Sequence, residues 1–303
     1  MINRISFILN VFLALTLAAV LLLSFKGDET TKGTGFPALP QTIRSINLNK
    51  EYSFCGERFP LNNFDVRQRL DAELLRNVYF HSSTILAIKR ANALFPIIEP
   101  ILKEEGVPED LKYLAVAESN LSNAVSPAGA RGVWQFMKSA AEQYGLEVND
   151  EVDERYHLEK ATRAACRYLR QQKELLGSWI LAAAAYNGGP TRIYAEMKNQ
   201  RARSFFDLNL AAEETMRYPF RIVALKEVMQ NPEYYEYHIE KDHLYEPLPP
   251  YKVVKIDGPI ASWADFAAEH GISYRMLKLY NPWLVNHKLT NKARKTYEVR
   301  IPK

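Results

Sequence analysis

The chain reads as mainly α, with a small α+β module at its C-terminal end and a membrane segment at its N-terminal end. Three patterns carry that reading. From about Arg76 to Gln230, apolar residues recur at helical spacing and no period-two alternation interrupts them. The final stretch, 251–303, runs strand, helix, helix, strand. Ile5 to Phe25 carries no charged residue over 21 positions, enough to span a bilayer as a helix.

The elements follow in order. Residues 1–27 hold the membrane segment, whose charge-free run from Ile5 to Phe25 has Arg4 before it and Lys26 after it. It is longer than the apolar core of a cleaved signal peptide, Leu23-Ser24-Phe25-Lys26 is a poor cleavage site, and no Cys closes it as a lipoprotein anchor. A retained signal anchor is the favoured reading and a cleaved signal peptide the second; either exports the body of the protein to the cell envelope. Residues 28–75 read as a linker, punctuated by Gly33, Gly35, Pro37 and Pro40. Within it, Phe54 to Leu61 is apolar enough to pack and Asp65 to Tyr79 has helical character.

Residues 76–230 form the main domain. Ser82-Ser83 can cap a helix through Phe95, and Pro96 then opens another that Gly106 ends. Pro108-Glu109-Asp110 opens the helix that carries Glu118. Ser126 to Gly132 is a loop of small residues, and Ser139 to Tyr144 is a short helix stopped by Gly145. Leu158 to Leu176 is a long amphipathic helix stopped by Gly177; Ser178 caps Trp179 to Tyr186; Glu213 to Met229 is the last long helix. Residues 231–250, with Asn231-Pro232, Pro247, Pro249 and Pro250, form a second linker. In 251–303, Tyr251 to Ile256 is a strand, Ser262 to His270 and Ser273 to Tyr280 are helices, and Tyr297 to Ile301 is the closing strand.

Composition excludes several function classes. A hydrophobic fraction of 47% and a charged fraction of 24% are those of a globular protein. The net charge of +4 is a small excess that suits a polyanionic wall or membrane surface, and no run of Lys and Arg marks a nucleic-acid footprint. The six His and two Cys show no metal-ligand spacing, so no metal and no cofactor are expected. Cys55 and Cys166 could pair in an exported protein, but one lies in the expected linker and the other in a helical run, which favours two separate thiols.

Glu118 is the candidate catalytic residue. Leu111, Leu114 and Ala115 precede it by seven, four and three positions, so all four share one helix face. A carboxyl on an apolar face either finds a partner or keeps its proton, and a carboxylic acid protonated near neutrality can act as a general acid. On position alone, a helix-end carboxylate facing water is the alternative.

Four blocks follow one another: Glu118-Ser119 with Ser126-Pro127-Ala128-Gly129-Ala130; Gly132-Val133-Trp134-Gln135-Phe136-Met137; Ala185-Tyr186-Asn187-Gly188-Gly189-Pro190; and Glu214-Thr215-Met216-Arg217-Tyr218. In this order they resemble the soluble-lytic-transglycosylase (SLT) family, whose fold is that of goose-type lysozyme, and within it the membrane-bound lytic transglycosylase D type. The resemblance implies cleavage of the MurNAc-GlcNAc β-1,4 bond of peptidoglycan with formation of 1,6-anhydro-MurNAc, Glu118 acting as acid and then as base. It implies substrate-binding roles for Ser126 (the acetamido region), Gln135 (near the acid or the sugar), Met137 (the glycan groove), Tyr186, Asn187, Glu214 and Tyr218. It implies that the Tyr186 hydroxyl holds the carboxyl. Trp134, where the family commonly has Met, reads as core.

Lys138 stands where the family often has Pro, and Pro219 where it has Val. The C-terminal stretch resembles a LysM module, but Asp257-Gly258-Pro259-Ile260 replaces the usual Gly-Asp-Thr-Leu. A spacer or docking role therefore stands beside glycan binding. The expected partners are peptidoglycan glycan strands and the membrane. A goose-type lysozyme hydrolase and an inactive peptidoglycan-binding scaffold are the alternatives.

Overall fold

The computed structural model describes residues 44–303. The expected membrane segment, Ile5 to Phe25, lies outside the described residues; among the described residues no helix is long and apolar enough to cross a membrane.

A tight hairpin comes first, β1 (Ser53–Phe54) against β2 (Glu57–Arg58), turned by Cys55 and Gly56 at φ 52° and 80°. Eight helices follow: α1 (Phe64–Val78), α2 (His81–Glu104), α3 (Lys112–Ser119), α4 (Lys138–Gln143), α5 (Leu158–Leu176), α6 (Trp179–Gly188), α7 (Pro190–Gln200) and α8 (Glu213–Gln230). The residues between α3 and α4 form one long loop that carries three isolated-bridge residues, Val125, Arg131 and Phe136.

The centre of the body is α6. Its Ala182, Ala183, Ala184 and Ala185 are fully buried, and a helix that is apolar on every side belongs inside a core. Small side chains let α5, α7 and α8 approach it. Ser178 caps it by accepting from the amides of Ile180 and Leu181, and Gly177 ends α5 before it at φ 80°. Helix α8 in turn packs on α1, α3 and α6, which places its inward side chains beside the end of α3.

The expected break at Pro96 is absent. Helix α2 runs through Pro96 and Pro100, with Ile98, Ile101 and Leu102 buried around them, and its start at His81 has no side-chain cap. Proline removes a backbone donor and crowds the preceding turn, but packing of the apolar face outweighs that local preference. Helix α7 has no counterpart among the elements expected from sequence; Pro190 occupies its first turn, where its missing N–H is no loss.

The two stretches expected as linkers are packed where the structure describes them. Leu48, Tyr52, Phe54, Phe59, Val66, Leu70 and Leu74 lie in the main core. Tyr235 and Tyr237 are buried against Val78 and Val228, and the Tyr237 hydroxyl donates to the Val78 carbonyl at 2.5 Å. Aromatic area compensates for the polar composition that suggested open chain.

The C-terminal module pairs β3 (Tyr251–Ile256) with β4 (Tyr297–Pro302) in one antiparallel ladder from Tyr251↔Pro302 to Ile256↔Tyr297. Helices α9 (Trp263–Glu269) and α10 (Tyr274–Tyr280) start at Ser262 and Ser273, each accepting a bond from its own first turn. Trp263, Leu277, Leu284, Val299 and Ile301 fill its core. The two thiols are both free; Cys166 is buried, and burial pushes it up to about 12.

Candidate active site

The apolar stripe leading to Glu118 is buried from Leu111 to Ala117. Glu118 itself keeps partial exposure, one residue before the end of α3. The helix stops because Asn120 turns left-handed at φ 52°, followed by Leu121 at 56°. Asparagine tolerates that region and leucine does not, so two consecutive left-handed residues mark stored strain beside the carboxyl. The turn is held from outside: Asn120 Nδ2 donates to the Ser83 carbonyl at 3.0 Å, and Arg90 Nη1 donates to the Asn120 carbonyl at 2.9 Å.

Helix α8 supplies the carboxyl's neighbours. The Tyr218 hydroxyl donates to Glu118 Oε1. One turn on, Arg221 donates from Nη2 to the Ala117 carbonyl and from Nη1 to Glu214 Oε1 at 2.9 Å. Its guanidinium also lies 5.6 Å from the Tyr218 ring centre. Burial is the largest influence on Glu118 and raises its pKa from 4.5 to about 7. The Tyr218 bond and the Arg221 charge pull it down and the Glu214 charge pushes it up, but burial wins. Burial and the adjacent Glu118 charge hold the Tyr218 hydroxyl well above 10, so it remains a donor.

The loop between α3 and α4 forms the facing wall. Ser119 Oγ, next to Glu118, donates to the Val133 carbonyl at 2.7 Å, and the Tyr186 hydroxyl donates to the Trp134 carbonyl at 2.6 Å. Trp134 is fully buried and its Nε1 donates to Thr162 Oγ1 at 2.9 Å. Gln135 sits at φ 50° and spends both amide protons on the loop, to the carbonyls of Ala124 at 3.0 Å and Gly132 at 2.7 Å. Ser126 Oγ accepts from the Ala130 amide at 3.0 Å and closes the turn around Pro127. Met137 is exposed where the loop enters α4.

The expectation that Tyr186 holds the acid is corrected. Its hydroxyl points to the loop backbone, and Tyr218 makes the bond to Glu118. Burial, with the Glu118 charge behind it, holds the Tyr186 hydroxyl well above 10, and its ring continues a row that packs Phe136 on one side and Tyr168 on the other. Asn187 Oδ1 accepts from Thr215 Oγ1 at 2.9 Å and ties the end of α6 to the start of α8. Those ends meet closely at Gly188, where a Cβ would lie 2.6 Å from Thr215 Cγ2. Glu214 faces Arg221 rather than the carboxyl. Sequence reasoning missed Arg221; an Arg three residues beyond Tyr218 on the same face was the available signal. Among the described residues no group of three or more His, Cys, Asp or Glu converges to hold a metal.

Residues 95–209 match the family model for the transglycosylase SLT domain, and residues 252–303 match that for the soluble lytic transglycosylase C-terminal LysM-like domain. The proteins named membrane-bound lytic murein transglycosylase D in Escherichia coli strain K12 and in Escherichia coli O6:H1 are each 28% identical over 241 residues, 76% of this chain and 51% of theirs. The chain thus spans about half the length of the curated relatives it matches. It carries an SLT transglycosylase domain followed by a LysM-like C-terminal domain, and it is homologous to the lytic murein transglycosylase D of Escherichia coli.

Proposed function

We propose that the chain is a peptidoglycan lytic transglycosylase that cleaves the β-1,4 bond between N-acetylmuramic acid and N-acetylglucosamine. The Glu118 carboxylic acid protonates the glycosidic oxygen as the bond from C1 breaks. The muramic acid C6 oxygen then bonds to C1, and the Glu118 carboxylate takes its proton, which restores the acid and leaves a 1,6-anhydro ring. The 2-acetamido group of the sugar can assist at C1, as in substrate-assisted glycosidases.

One observation carries this reading above the rest: Glu118 is a half-buried residue at the end of α3 whose carboxyl has a pKa raised by burial to about 7. A group that titrates near the working pH can give a proton and take one back. The carboxylate beside it, Glu214, is engaged by Arg221 at 2.9 Å. That leaves Glu118 to serve both steps and gives a water-activating second carboxylate no support.

In this reading Tyr218 orients the acid and Met137 lines the glycan groove. Ser126 and Gln135 shape the loop that meets the sugar, while Asn187 and Glu214 set the α6–α8 side of the site. We assign 76–230 as a goose-lysozyme-like catalytic domain, with the hairpin and α1 before it and the aromatic stretch after it packed on the same core, and 251–303 as the LysM-like module. The segment 1–27 is assigned as the anchor that holds the chain in the cell envelope, in keeping with the relatives' membrane-bound name.

Glu118→Gln tests the assignment. It keeps the shape and removes the proton, so wall lysis should fall by about 10²–10⁴-fold with the melting curve intact. Lysis that persists would place the acid elsewhere.

A further inference from the structure

One short segment, residues 151–156, contacts at once the C-terminal module and the loop that walls the Glu118 site. Val152 is 1% exposed and lies in the module's own core with Ile256, Trp283 and Leu284. Its backbone pairs with Leu284; the Asp153 amide donates to the Trp283 carbonyl at 2.8 Å and the Val285 amide to the Glu151 carbonyl at 3.1 Å. Thr290 adds its amide and hydroxyl to Glu151 Oε2 at 2.7 and 3.0 Å. Ion pairs flank this seam, Lys295 with Glu147 and Arg300 with Glu159. The turn that departs from the LysM pattern pairs within the module, Ile260 with Leu289, next to Thr290.

Arg155 carries the seam inward. Its buried guanidinium donates from Nε and Nη2 to the two oxygens of Asp153 at 2.8 and 2.7 Å. Its Nη1 donates to the carbonyls of Gly129 at 3.1 Å and Phe136 at 3.2 Å. A planar guanidinium held on both edges has little freedom left. Gly129 and Phe136 bracket Gln135, and Gly132 between them passes so close that a Cβ would lie 1.9 Å from the Arg155 carbonyl oxygen.

We infer that the C-terminal module is a positioning element of the active site: docked on residues 151–153, it fixes Arg155, and Arg155 holds the loop that meets the substrate. Arg155 touches no reacting atom and is a positioning residue. The functional part of the inference rests on the reading of the Glu118 groove as the glycan site.

Amide exchange of the full chain, followed over 124–137 and 251–303, tests it together with KM and kcat on peptidoglycan. The amides of Ser126, Arg131, Gly132 and Gln135 all bond within the loop and report its order. Two variants are compared with the parent: Arg155→Lys, and the docking pair Glu151→Ala with Thr290→Val. Where the pair leaves the module's own exchange unchanged, Val152→Ser takes its place. Each variant should speed exchange over 124–137 by tenfold or more and raise KM several-fold. Exchange in α5 and α6 and the pH limb of kcat should stay as in the parent. A loosened module with unchanged loop exchange and unchanged KM overturns the inference, as does an Arg155→Lys variant with a parental loop. If the loop loosens as expected but the parent itself does not cleave peptidoglycan, the positioning stands and the catalytic reading fails.

Discussion

The Tyr218 hydroxyl donates to the carboxyl of Glu118, a residue 100 positions earlier in the chain. It does so because α8 packs directly along α3. This bond favours the carboxylate, whereas burial favours the acid, and the balance near 7 is what a group with two opposite proton-transfer tasks requires.

Removing that bond shifts the balance toward the acid. Tyr218→Phe takes away a donor to the charged form, so the pKa of Glu118 rises further. The loss of kcat on the alkaline side should then move up by roughly one to two pH units, since a hydrogen bond to a charged group is worth about 1.5–3 kcal/mol. The maximal rate should fall as well, because the carboxyl loses its fixed position. A pH profile of kcat for both proteins checks this.

Arg221 lowers the same pKa by charge and holds the Ala117 carbonyl in the last turn of α3. Arg221→Gln should raise the alkaline limb and reduce kcat by about tenfold, a loss of ~1.4 kcal/mol in the transition state. Arg221→Lys should restore the limb more than the rate, since a point charge does not reproduce two directed bonds.

Stability should depend on pH through Glu118. Its folded pKa, about 7, lies above the 4.5 of an exposed glutamate. A raised acid contributes stability that is fully present below about pH 4.5 and is lost as pH rises through 7. Urea unfolding of the parent and of Glu118→Gln at pH 4.5 and pH 8 isolates this contribution. Relative to the variant, the parent should lose up to about 3 kcal/mol between the two.

The close approach of α6 and α8 predicts a coupling. Gly188→Ala places a methyl against Thr215 and should cost about 1–3 kcal/mol. Thr215→Ser removes the nearer methyl and keeps the hydroxyl that meets Asn187. The double variant should recover at least about 1 kcal/mol beyond additivity in a double-mutant cycle.

Local chemistry made parts of this molecule legible. Gly177 and Ser178 mark the end of α5 and the start of α6 because a left-handed stop and an oxygen cap are one-residue signals. Trp134 was readable as core, and Glu118 was readable from three apolar neighbours on its own helix. What stayed hidden depends on distant chain. Pro96 stops a helix on local terms, and only the burial of Ile98, Ile101 and Leu102 explains why it does not. Tyr186 and Tyr218 are equivalent as phenols in a list of blocks; which one meets Glu118 is decided by how α8 lies on α3. Tyr218 and Arg221 also fall beyond the 95–209 family match. The link from Trp283 through Asp153 to Arg155 joins residues 130 positions apart (283 − 153), which no spacing encodes.

The central claim is that one carboxyl performs both proton transfers without water as acceptor. Mass spectra of the products from purified peptidoglycan test it most directly, with the parent and Glu118→Gln side by side. The expected products are fragments ending in 1,6-anhydro-N-acetylmuramic acid, about 18 Da lighter than reducing ends because no water is added, and none from the variant. Reducing ends from the parent would contradict it and require a second group that activates water.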